Sequence, residues 1–162
     1  FLSAGNSVRS IFAECLANRY GGRHFRCYSA GCHPTGELDP IALEVLREHG
    51  HDTSELRSKS WDEFKQEGAP TFDFVFTICD LEGGEACPTW WGELTGHWGI
   101  QDLDSFTGSP EEQRRVFQRV YAELEGRIKL FTALRHRDLE PLRLRAKLYQ
   151  IDPSKSETLE QS

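Results

Sequence analysis

Methionine is absent from the 162 residues and the chain opens on Phe1, so the sequence is expected to lack its true start and a few residues of an opening strand. No apolar run approaches the roughly 20 residues a membrane span needs, and nothing resembles a secretory leader. Basic residues are outnumbered: 19 Lys and Arg against 26 Asp and Glu give a net charge of -7, which argues against nucleic acid or an anionic membrane as partner. Any bound anion must then be held by local donors against an unfavourable overall field. Cysteines number five, an odd count with no Cys-x2-Cys pair, and Cys27 with Cys32 lacks a second pair nearby, which excludes the usual zinc patterns. Five cysteines without a leader point to a reducing cytoplasm rather than a disulfide scaffold. Repeats and linkers are lacking too, so residues 1–151 read as a single domain, and the polar stretch 152–162 as a disordered tail.

Ser3-Ala4-Gly5-Asn6-Ser7-Val8-Arg9-Ser10 has the composition of an oxyanion-binding loop. Glycine and small polar residues let successive backbone N–H groups turn inward as a nest, and the helix beginning near Arg9 aims its positive dipole end at the same point. The planar fork of Arg9 can curl back and grip two oxygens. Ser10 can hydrogen-bond the side chain at position 3 and stabilise an anion there. The alternative is a Ser/Asn-rich helix cap after a buried strand.

The apolar spacing around this loop predicts alternating strands and helices. Phe1-Leu2 ends a strand, and Ile11 to Tyr20 continues as a helix stopped by Gly21-Gly22. Phe25 to Ser29 reads as a second strand, and Ile41 to His49, after Asp39-Pro40, as a helix ended by Gly50. Trp61 to Lys65 reads as a short helix. Phe74 to Ile78, apolar and β-branched, reads as a strand buried on both faces of a parallel sheet, and a further short strand is expected near His97 to Ile100. Pro110 to about Leu134 forms a long amphipathic helix with Ser109 as N-cap and Val116, Val120, Leu124, Ile128 and Phe131 on one face. Leu139 to Ile151 reads as one more helix. Strand–helix alternation implies a three-layer α/β domain with its ligand site at the carboxyl ends of the strands. Cys15 and Cys27 read as small buried hydrophobes.

With cysteine at position 3 the loop would resemble the Cys-x5-Arg-Ser signature of low-molecular-weight protein tyrosine phosphatases and of the arsenate reductases built on their fold. Tyr28-Ser29-Ala30-Gly31, His33-Pro34-Thr35-Gly36, Lys59-Ser60-Trp61-Asp62-Glu63-Phe64, Phe76-Thr77-Ile78-Cys79-Asp80, Cys87-Pro88 and His97-Trp98-Gly99-Ile100 with Asp102 are similar to the thioredoxin-coupled reductases, over residues 1 to about 134. The resemblance implies a low-molecular-weight phosphatase-like α/β/α fold on a four-stranded parallel sheet. It implies arsenate reduction to arsenite through a relay from position 3 to Cys79 and then to Cys87, ending in a disulfide that thioredoxin reduces. Phosphate or sulfate would mimic the substrate. Arg9 and the amides of Ala4, Gly5, Asn6, Ser7, Val8, Arg9 and Ser10 would hold the anion, and Asp102 would protonate a leaving oxygen, with Leu103 where the family pattern has Pro. Some family members hold potassium near positions matching Asn6, Glu14 and Ser29; Lys59 here could supply its charge, so no metal and no cofactor other than the donor protein is expected. A monomer is the default, since the long helix leaves no unexplained apolar face.

Ser3 stands where the nucleophilic thiol belongs. A helix N-terminus with cationic neighbours lowers a thiol's pKa by several units, whereas a serine hydroxyl stays protonated, so the loop is expected to bind an anion without turnover. Either a native cysteine has been replaced, which the retention of Arg9, Cys79, Cys87 and Asp102 favours, or the chain is a natural oxyanion-binding paralogue. A tyrosine phosphatase is the alternative activity: it shares the loop and Asp102 but needs neither relay cysteine.

Overall fold

The computed structural model describes residues 1–86, 94–134 and 137–142. Four short strands, β1 (Leu2–Ser3), β2 (Ala30–Gly31), β3 (Phe76–Cys79) and β4 (Gly96–Gly99), form one all-parallel sheet in the order β2-β1-β3-β4. Chain order reverses direction across the sheet between β1 and β3, the switch point where such sheets open a crevice at their carboxyl ends. Leu2 pairs with Thr77 across that point, so Ser3 and Cys79 leave neighbouring strands at the same edge.

Three helices cover one face: α1 (Arg9–Gly21), α2 (Pro40–Glu48) and α3 (Pro110–Thr132). Their boundaries follow local chemistry. Gly22 closes α1 at φ 52, a left-handed conformation that glycine adopts without steric cost. Asp39 accepts the Ile41 and Ala42 amides ahead of α2, and Ser109 with Glu112 makes a reciprocal capping box at α3, each cap being worth about 1 kcal/mol. Phe12, Leu16, Val45, Leu46, Ile78, Leu124 and Ile128 pack into the main core between helices and sheet. The other face carries Leu2, Ala30 and Val75 under Trp61, Phe64, Phe72 and Leu94, with Trp61–Lys65 forming a 3-10 turn that Ser60 caps.

Two expectations shift. Phe25–Ser29 is not a strand: β2 begins at Ala30, because both backbone groups of Cys27 are taken by the Asn18 side chain at 3.0 Å and are withheld from a ladder. On α3 the buried face is Phe117, Val120, Tyr121, Leu124 and Ile128, so Phe117 and Tyr121 occupy the deep positions and Val116 and Phe131 are half-buried at the margin. Residues 137–142 are helical; the remainder of the helix expected to Ile151, and the tail 152–162, lie outside the described residues.

Candidate functional site: an oxyanion loop latched by a carboxylate

Residues Ser3 to Ser10 curl between the end of β1 and the start of α1. The carbonyls of Ser3, Ala4 and Gly5 face away from the curl, accepting N–H donors from Cys32 (3.3 Å), His33 (2.9 Å) and Thr35 (3.0 Å), and Ser7 O accepts Asp39 N–H at 3.4 Å. In a trans peptide the N–H opposes the C=O, so the amides of Ala4, Gly5, Asn6 and Val8 point into the curl. Asn6 N–H is bonded to Ser3 Oγ at 3.1 Å; no bond among the described residues occupies those of Ala4, Gly5, Ser7, Val8 or Arg9. The turn depends on Asn6 at φ 48, a left-handed position that asparagine tolerates better than most residues. It also depends on Gly31, where a Cβ would stand 2.5 Å from Ala4 O. Cys32 lies behind the curl, its Sγ 4.0 Å from Ala4 O on the carbonyl side, and His33 Nδ1 is 3.2 Å from that sulfur.

The floor of the loop is a buried polar network. Ser3 Oγ is 2.7 Å from Ser10 Oγ, and Asn6 Nδ2 donates to Ser10 Oγ at 2.8 Å and Ser29 Oγ at 3.0 Å, while Asn6 Oδ1 accepts Lys59 N–H at 2.9 Å. Ser29 Oγ donates to Glu14 at 2.5 Å, and Lys59 Nζ lies 3.7 Å from the same carboxylate oxygen. An ammonium thus stands among the residues at which the family resemblance suggested a potassium ion.

Arg9, only 3% exposed, reaches across the mouth of the crevice, where its fork is occupied. Nη1 and Nη2 donate to the two oxygens of Glu85 at 2.6 and 2.7 Å, with further bonds to Ile100 O at 3.1 Å and Asp102 Oδ1 at 3.3 Å. Burial alone would lower the guanidinium's pKa; the Glu85 bond and the charges of Glu85, Asp102 and Asp104 reverse that and raise it. Asp102 is held by its N–H, which donates to Asp80 Oδ2 at 3.0 Å. Leu103 is buried in the main core, so the residue after Asp102 anchors this loop apolarly. Amide donors from Asp102 and Gly83 hold the Asp80 carboxyl below the ordinary aspartate range.

Cys79 ends β3, fully buried, with His97 Nδ1 at 3.6 Å from its sulfur. Cys87 lies outside the described residues. The structure therefore brings together Ser3, the loop from Ala4 to Ser10, Arg9 and Asp102, with Cys79 at the adjacent strand end. Cys15 and Cys27 sit half-buried against the core, and burial pushes their thiols up to about 12 and about 11, as inert sulfurs rather than nucleophiles. Among the described residues no three His, Cys, Asp or Glu side chains converge as metal ligands.

Two participants escaped the sequence reading. Asp104 accepts Ser7 Oγ at 2.6 Å at the rim of the loop, and Glu85 fills the arginine fork. Neither belongs to a periodic pattern; the one available signal was a carboxylate inside the segment joining Cys79 to Cys87.

The family model for low molecular weight phosphotyrosine protein phosphatase matches residues 1–140. An arsenate reductase of Halalkalibacterium halodurans is 38% identical over 132 residues, covering 81% of this chain and 91% of that protein. A solved arsenate reductase in a phosphate-binding state aligns at a TM-score of 0.64 with 25% identity, over 82% of this chain and 94% of the other. A thioredoxin-dependent arsenate reductase of Corynebacterium glutamicum aligns at 0.57 with 26% identity, over 81% of this chain and 57% of the other.

Proposed function

The chain belongs to the low molecular weight phosphotyrosine protein phosphatase family, and we propose that it is an arsenate-reductase-type domain that binds arsenate and is held before the first chemical step by Ser3. The observation that carries this reading is the inward turn of the amides of Ala4, Gly5, Asn6 and Val8 beside a buried arginine fork. A tetrahedral oxyanion meets there both the backbone donors and a bidentate cation. Similarity to curated arsenate reductases, one of them 38% identical, favours arsenate over a phosphotyrosine substrate, as does a cysteine at the end of β3.

Turnover requires a thiolate at position 3. That sulfur displaces an oxygen from As(V), which leaves as water once Asp102 has supplied the proton. Cys79 then attacks the sulfur of the adduct, a disulfide forms between positions 3 and 79, and the arsenic keeps the bonding pair and departs as arsenite. Cys87 next attacks Cys79, freeing the first thiol and leaving a 79–87 disulfide that a thioredoxin dithiol reduces. Ser3 cannot begin this sequence. Its hydroxyl is not ionised near neutral pH, and it removes the thiolate charge that would repel a bound anion, so the present chain is a binding form.

Restoring the thiol with Ser3→Cys tests the reading. The variant should reduce arsenate with thioredoxin present, and Cys79→Ser or Cys87→Ser in that background should abolish the reduction. Aryl phosphate hydrolysis that outpaces arsenate reduction and survives both relay substitutions would identify a phosphatase instead. If the restored thiol supports neither reaction, the chain is an oxyanion-binding paralogue.

A further inference from the structure

We infer that Glu85 is an intramolecular competitor of the oxyanion, and that its displacement from Arg9 releases residues 80–86 from the site. The inference rests on the proposed reading of residues 3–10 as an anion site and extends it to the segment leading to Cys87.

The Glu85 carboxylate makes the paired contact that an oxyanion would make with the same guanidinium. Its two oxygens take Nη1 and Nη2 at 2.6 and 2.7 Å, and one of them also accepts Asp80 N–H at 2.6 Å. An oxyanion cannot take a paired contact there while Glu85 holds its own: each terminal nitrogen gives one N–H to Glu85 and the other to Ile100 O or Asp102 Oδ1, and Asp102 and Asp104 already add negative charge at the rim. Arg9, nearly fully buried, needs a counter-charge whether or not a ligand is present. Glu85 supplies it from within the chain, and an arriving anion can take over the role.

Among the described residues, the segment bearing Glu85 has few other ties. Within it Gly83 N–H donates to Asp80 Oδ1 at 2.7 Å, Gly84 N–H to Leu81 O at 3.1 Å and Glu85 N–H to Asp80 O at 2.8 Å. Gly84 sits at φ 87, and Leu81 is 55% exposed rather than packed. Among the described residues, the hydrogen bonds that tie residues 80–86 to the rest of the fold are the Glu85–Arg9 pair and the Asp102 N–H bond to Asp80. Loss of the first leaves a segment held mainly by its own turn. Anion capture and freedom of the segment between Cys79 and Cys87 are thus two consequences of one exchange at Arg9. Because the binding-competent form requires Glu85 to leave, the latch also weakens apparent anion affinity by the fraction of time it is closed.

Calorimetric titration of the full chain with inorganic phosphate, beside Glu85→Gln, tests the competition. Glutamine keeps the length and removes the charge, and the variant should bind phosphate at least tenfold more tightly. Hydrogen exchange on the unmodified chain tests the release without any substitution: saturating phosphate should speed exchange at the Asp80, Gly84 and Glu85 amides. Equal phosphate affinity in the two forms, or slowed exchange at those amides on addition of phosphate, would overturn the inference while leaving the anion site standing. Phosphate binding to neither form would overturn the anion site and the competitor together.

Discussion

Ser3 Oγ and Ser10 Oγ stand 2.7 Å apart at the floor of the loop, the position from which a hydroxyl donor at residue 10 stabilises a negative charge at residue 3. With Ser3→Cys the sulfur would sit beside that donor, at the N-terminal end of α1 and close to unoccupied amides. The introduced thiol should therefore ionise below about pH 7, against about 8.5 for an unperturbed cysteine. The rate of iodoacetamide alkylation against pH reads this directly. Adding Ser10→Ala should shift the midpoint upward; an unchanged midpoint would mean that the hydroxyl contributes nothing.

Arg9 carries the bidentate part of the proposed anion contact. Arg9→Lys keeps one positive charge but loses the fork, and should weaken phosphate binding about ten- to a hundredfold, on the scale of one or two charge-assisted hydrogen bonds. Titration calorimetry gives the ratio. A lysine variant binding as tightly as the parent would show that the backbone amides alone hold the ligand.

Asn6 holds the curl in shape through three side-chain bonds, to Ser10, Ser29 and the Lys59 amide, in a left-handed conformation. Asn6→Ala removes all three and places alanine where it is strained, so it should cost about 2–4 kcal/mol of stability. Urea unfolding measures the loss. Phosphate binding should fall with it, because the same side chain shapes the amide cradle.

Leu103 is 3% exposed in the main core, next to Asp102. Leu103→Ala should cost about 2–5 kcal/mol and loosen the loop that presents Asp102 to Arg9. In the Ser3→Cys background arsenate reduction should then fall further than phosphate binding. Equal losses in both would mean that Asp102 serves binding alone.

His51 predicts a pH dependence of stability. Burial, with the nearby Arg19 charge, lowers its pKa from 6.5 to about 4, and its Nε2 lies 2.7 Å from Tyr121 Oη. Because the folded state takes up this proton less readily than the unfolded chain, His51 favours unfolding as pH falls from 6.5 towards 4 and has no such effect above that window. His51→Gln should flatten the decline in melting temperature between pH 6.5 and 4. A profile as steep as the parent's would place the titration elsewhere.

Much of this architecture can be read from residue pattern because it is local. Asp39-Pro40 and Ser109-Pro110-Glu111-Glu112 state their helix starts outright, and the apolar, β-branched run Phe74 to Ile78 reads as a buried parallel strand that overlaps the observed Phe76–Cys79. The loop was legible for the same reason: Gly5, Asn6 and Arg9 act within a few residues of one another. Phe25–Ser29 misled because its strand-like composition is overruled by Asn18, nine residues before Cys27, through a side-chain contact with no periodic trace. Glu85 was hidden for a deeper reason. Its meaning comes from Arg9, 76 residues away, and only the placement of β3 beside β1 brings the two together.

A crystal structure of this Ser3 chain grown with saturating phosphate would show whether the loop and Arg9 capture an oxyanion together. The expected result is a phosphate inside residues 3–10, bonded to the amides between Ala4 and Arg9 and to both terminal nitrogens of Arg9, with the Glu85 carboxylate displaced. A curl without phosphate, and Arg9 still clasping Glu85, would contradict it.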